Sequence, residues 1–143
     1  MTALGVDSHP SPHRGRVPRW RLWLGLFGAP LCWSVQTLVD YAFVAHGCFP
    51  GASPRAEPLL GVRALSVGVD LAALAAALAC TLVALASWRA THGEKEGTPH
   101  HLLDNAEGRS RFMAASGFVL GLIFLVAIVV ASMPVLFFST PCR

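Results

Sequence analysis

Charge is what this sequence has least of. Asp, Glu, Lys and Arg together make up 13% of its 143 residues, against about a quarter in a soluble domain. Apolar residues make up 54%. Too few polar side chains remain to coat a soluble particle of this size, so most of the chain must avoid water some other way. Alternation is missing too. Transmembrane barrel strands of ~10 residues alternate polar and apolar positions, whereas "DLAALAAALACTLVALASW" is a continuous Ala/Leu-rich run that favours helix. Internal repeats are absent. There is no Gly-x-x-x-x-Gly-Lys loop, no Gly-x-Ser-x-Gly and no His-Glu-x-x-His. No histidine falls near the middle of an apolar run, which removes the usual ligands for a membrane-spanning pair of haems. Neither an enzymatic constellation nor a cofactor site is legible.

What the chain has instead is three long apolar runs, at about 22–45, 64–88 and 112–138. A helix needs ~20 apolar residues to cross a ~30 Å hydrocarbon layer, and each run is long enough. The expected fold is therefore all-α: three transmembrane helices in a small bundle occupying residues 20–143. Residues 1–19 carry three prolines, His9, His13, Arg14, Arg16 and Arg19. They read as a disordered basic tail, suited to lipid headgroups rather than nucleic acid. The runs leave a loop at 46–63 and another at 89–111.

Orientation follows from Lys and Arg. Eight of the eleven lie on one side: Arg14, Arg16, Arg19 and Arg21 before the first span, and Arg89, Lys95, Arg109 and Arg111 between the second and third. Three lie on the other: Arg55, Arg63 and Arg143. The excess marks the cytoplasmic side. The N-terminus and the 89–111 loop are expected inside; the 46–63 loop and the C-terminus are expected outside. Trp20, Trp23 and Trp88 then fall at cytoplasmic span ends, where interfacial anchors sit. "VAHGC" superficially resembles a lipoprotein cleavage site, but a signal's apolar region is 7–15 residues. This run is longer and contains Asp40, so it is expected to be an uncleaved anchor.

The four cysteines divide by depth. Cys32 and Cys80 lie inside spans and behave as small apolar residues. Cys48 and Cys142 both lie just beyond span ends on the expected outer face. In a bacterial inner membrane that face is the oxidising periplasm, and a Cys48–Cys142 disulfide is expected to tie the first span to the third. An alternative set of soft ligands on the same side, His46, Cys48, Met133 and Cys142, suits Cu(I) chemically but follows no metal-binding spacing. His92, His100 and His101 read as solvated.

Polar residues inside the spans raise the functional question. At ~1.5 Å rise per residue, Asp40 and Asp70 fall at similar depth, roughly 10 Å and 8 Å to the outer side of their span midpoints. Acids near mid-helix cost ~2.5–3.5 kcal/mol and usually face the protein interior. Gly25, Ala29, Cys32, Gln36 and Asp40 recur at three- and four-residue spacing, forming one stripe. Ser66, Asp70, Ala73 and Ala77 form another. A layer of Gln36, Asp40, Ser66 and Asp70 is expected, with Tyr41 and His46 above it. Gly117-x-x-x-Gly121 in the third span allows close helix approach. Three uses of the layer compete: internal pairing, contact with a partner membrane protein, or a proton or ion path, the last requiring a homo-oligomer to enclose a pore.

Several of these residues fit one pattern. Gly28, Pro30 and Trp33 in "GAPLCW" open the first span. Tyr41 and then Cys48 follow near the outer end. "RFMAASG", from Arg111 to Gly117, opens the last span, and the chain closes on Pro141 and Cys142. In these features it resembles a group of small bacterial inner-membrane proteins often encoded beside haem–copper (cytochrome c) oxidase genes. The resemblance covers most of the chain apart from the tail and the 89–111 loop. It implies a non-enzymatic accessory or assembly role, with oxidase subunits as membrane partners. It carries over no catalytic residue, because that group has no defined chemistry. The alternative function is a small oligomeric transporter or copper-handling protein using the intramembrane acids or the outer Cys, His and Met residues.

Overall fold

Backbone amides in hydrocarbon must find their partners within the chain, and a helix does this segment by segment. The computed structural model follows that rule. It describes residues 17–49, 51, 61–91 and 107–137, and these hold three helices: α1 (Arg19–Cys48), α2 (Val62–Thr91) and α3 (Glu107–Phe137). Each contains a segment long and apolar enough to cross a bilayer. The helices overrun most of the apolar runs that define them: α1 by three residues at each end, and α3 into the polar turn from Glu107 to Arg111. Backbone hydrogen bonding does not stop where hydropathy does.

The ends have local causes. Phe49 N–H donates to Ala45 O at 2.9 Å, closing the last turn of α1. Gly61, at φ +95°, takes a left-handed conformation just before α2, which only glycine adopts without penalty. Pro30 lies inside α1 without breaking it. It withholds one N–H, and its own carbonyl accepts from Ser34 Oγ at 2.9 Å.

Every helix packs on the other two. The core is made of small residues: Ala29 on α1, Ala77 and Ala84 on α2, and Ala114 on α3, with Ile128 the largest apolar side chain fully enclosed. In lipid, helix association draws on close van der Waals approach rather than on expulsion of water. Two ring contacts flank this seam. Trp33 of α1 meets Phe124 of α3 with centroids 5.5 Å apart, and Trp88 of α2 stacks on Phe118 of α3 at 5.9 Å. Leu31, Val35, Leu38, Leu71, Leu78, Leu82, Ile123, Val126 and Val130 point outward, as a lipid-facing surface requires. The molecule is a multi-pass membrane protein by length, composition and the direction of its apolar faces.

The Gly117/Gly121 pair is resolved in an unexpected way. A Cβ on Gly117 would lie 3.0 Å from the carbonyl carbon and oxygen of Gly25, in the α1 backbone. A Cβ on Gly121 would strike Thr81 of α2, its Oγ1 at 2.5 Å. One turn of α3 thus faces α1 and the next faces α2. The pair seats α3 in the groove between the other two helices rather than zipping it to one partner.

Candidate functional site: a buried polar layer joining three helices

Gln36 is fully buried, at 0% exposure, in the middle of the bundle. A neutral amide there has two N–H hydrogens to place. Its Nε2 donates to Asp70 Oδ1 of α2 at 2.5 Å and to Ser132 Oγ of α3 at 3.1 Å. Ser132 in turn donates to Ile128 O, one turn back on its own helix, at 2.9 Å. A single side chain on α1 therefore holds both other helices.

Asp40 stands one turn beyond Gln36, and its carboxyl interacts with that of Asp70 and with the Ser66 hydroxyl. Ser66 and Asp70 are both buried, at 2% and 6% exposure. Gln36, Asp40, Ser66 and Asp70 thus come together, and Ser132 is a fifth member that the sequence stripes did not include. It is one serine in an otherwise apolar C-terminal third of α3. The signal for it was its depth, roughly 10 Å from the midpoint of the third span at ~1.5 Å per residue, on the same side as the acids.

Tyr41 and His46 do not join the layer. Tyr41 is 74% exposed and His46 is exposed as well. One residue past Asp40 is about 100° further round the helix at 3.6 residues per turn, which carries Tyr41 to the outward face. Arg63 does not reach the acids either. Its Nη2 donates to Leu136 O at 3.0 Å, a cation on the carbonyl end of α3, where the helix dipole favours it.

The soft-ligand set is not gathered. Cys48 is buried, whereas His46 and Met133 are exposed, and Cys142 lies outside the described residues. Among the described residues no three His, Cys, Asp or Glu side chains cluster as metal ligands. Cys32 and Cys80 are free thiols that interact across the α1–α2 seam. Gly28, one turn before Cys32, makes room: a Cβ there would collide with the Cys80 sulfur. His92, His100 and His101 lie outside the described residues.

No family profile, curated protein or solved structure matches this chain. The chemistry of the layer has to be read from its own atoms. Three of these are buried acceptors without a hydrogen-bonding partner: Gln36 Oε1, Asp40 Oδ1 and Asp70 Oδ2. The layer is rich in acceptors and short of donors.

Proposed function

We propose that this chain is a non-enzymatic protein of the bacterial inner membrane that serves as an accessory or assembly partner of a respiratory haem–copper oxidase. Its N-terminus lies in the cytoplasm and its C-terminus in the periplasm. The observation that carries the reading is how the bundle divides its residues. Polar groups of all three helices turn inward and bind one another, and what faces out is mainly apolar. Phe27, Leu31, Leu38 and Tyr41 follow one another along the outward side of α1, each more than half exposed. Such a ridge suits lipid or the apolar flank of another membrane protein, and it leaves the acids to internal cohesion. The oxidase as partner rests on the resemblance in "GAPLCW", "RFMAASG" and the closing Pro-Cys. Mild-detergent purification of the tagged full chain is expected to bring down oxidase subunits. Recovery of the folded chain alone, from cells that express the oxidase, sinks this reading.

A disulfide between Cys48 and Cys142 belongs to the same proposal. Cys32 and Cys80 face each other as free thiols, and Cys48 is not among the free thiols. Cys48 is also buried at the end of α1, where a cross-link would be shielded. Thiol-reactive polyethylene glycol added to intact, outer-membrane-permeabilised cells is expected to label neither cysteine until a reductant is supplied, and then both. Free labelling without reductant removes the disulfide. Labelling that requires entry into the cytoplasm inverts the orientation.

A further inference from the structure

We propose that the polar layer is a proton-binding site: one exchangeable proton is held between the carboxyls of Asp40 and Asp70. Hydrogen-bond supply and demand lead there. Both Gln36 amide hydrogens are committed, one to Asp70 and one to Ser132, and the Ser132 hydrogen is committed to Ile128 O. The Ser66 hydroxyl lies beside Asp40. After that, Gln36 Oε1, Asp40 Oδ1 and Asp70 Oδ2 are still without a donor, and Gln36 is wholly enclosed. Orphaned acceptors at this depth are costly, and so are two neighbouring carboxylates carrying a full charge each. One proton answers the charge and serves both aspartate oxygens, leaving Gln36 Oε1 alone without a donor. It turns one carboxyl oxygen into a donor to its neighbour and reduces the pair from two negative charges to one.

No other charged group takes up this role among the described residues. On α1, His46 and Tyr41 are exposed. On α2, Arg63 is bonded to Leu136 O. On α3, the stretch from Phe112 to Phe137 contains no titratable side chain. The two carboxyls therefore share the proton, which belongs to the layer rather than to either aspartate alone.

The test uses the full chain in lipid nanodiscs and isotope-edited infrared spectroscopy with labelled aspartate. The protonated carboxyl C=O stretch is well separated from the carboxylate bands, and its shift in heavy water reports exchange. At neutral pH the expected result is one protonated aspartate per chain, falling to none in both Asp40→Asn and Asp70→Asn. In either variant the new amide donates to the remaining carboxylate and replaces the proton. Asp7 and Asp104 lie outside the three spans and contribute only carboxylate bands. Three outcomes overturn the proposal. One is a folded wild-type chain with no protonated aspartate. Another is a signal that survives either single substitution unchanged. The third is a signal that disappears when sodium replaces choline at constant ionic strength, which would make the oxygens a cation site instead. The wild-type measurement stands without the variants should either fail to fold.

Discussion

Gly117→Leu is expected to separate α3 from α1 and unfold the bundle under detergent conditions in which the unchanged chain stays folded. The first added carbon already meets the α1 backbone: Gly25 C and O at 3.0 Å and Leu26 N at 3.2 Å. Backbone cannot rotate away as a side chain can. Nor can Gly25 retreat, because a Cβ on Gly25 would itself lie 3.0 Å from Ala84 Cβ on α2. That stretch of α1 is caught between the other two helices. Overpacking a tight seam costs ~1–3 kcal/mol, and alanine at 117 is expected to fall in that range. Leucine adds three more carbons in the same direction and exceeds it. Gly68→Ala is the control, since a Cβ on Gly68 would meet nothing within 4 Å and alanine is the better helix former. Titration of the folded fraction with sodium dodecyl sulfate, followed by circular dichroism and by Trp33 and Trp88 fluorescence, reads all three. A leucine variant as stable as the parent would show that α3 does not sit against α1 at this level.

Gln36→Leu is expected to be the most damaging change in the polar layer, at about 2–4 kcal/mol. Hydrogen bonds between membrane helices are modest in themselves, averaging ~0.6 kcal/mol. The larger effect is what the leucine leaves behind. Asp70 Oδ1 and Ser132 Oγ both lose their Gln36 donor, and a buried polar group stripped of its partner costs ~1–3 kcal/mol. Thr37→Val, one residue away, is expected to be nearly silent, because Thr37 is exposed and its hydroxyl bonds only Trp33 O in its own helix. The layer also makes a prediction about compensation. Combining Gln36→Leu with Asp40→Leu, Asp70→Leu and Ser132→Ala removes donors and acceptors together, and much of the stability should return. If the combined variant is folded yet no longer recovers oxidase subunits, the layer serves the partner as well as the fold. A Gln36→Leu chain that resists the detergent as well as the parent contradicts the three-way junction.

Part of this arrangement was legible in the residue order alone. Gln36 and Asp40 are one turn apart, so they had to share a face, and the depth of Asp70 matched. The inward direction of both stripes followed from the cost of acids in lipid. The outward turn of Tyr41 was also available, since adjacent residues on a helix cannot share a face with period 3.6. Ser132 was harder to see. A serine in a membrane helix can satisfy its hydroxyl on the carbonyl four residues back, as this one does on Ile128, so its presence announces no partner. Only the position of α3 shows that its oxygen also accepts from Gln36.

The sequence by itself determined the number of helices, their rough limits and their all-α character, because hydrocarbon thickness and backbone hydrogen bonding leave few other solutions for three apolar runs. It also determined which faces of α1 and α2 turn inward. Tertiary structure alone decided which helix meets which at each turn. Gly117 and Gly121 look alike in sequence, four residues apart on one face, yet one meets the α1 backbone and the other meets Thr81 of α2. Their partners depend on how three irregular surfaces fit together at once. The same holds for the polar layer. The sequence supplied the acceptors, and the packing fixed which donors reach them and which three oxygens are left without one.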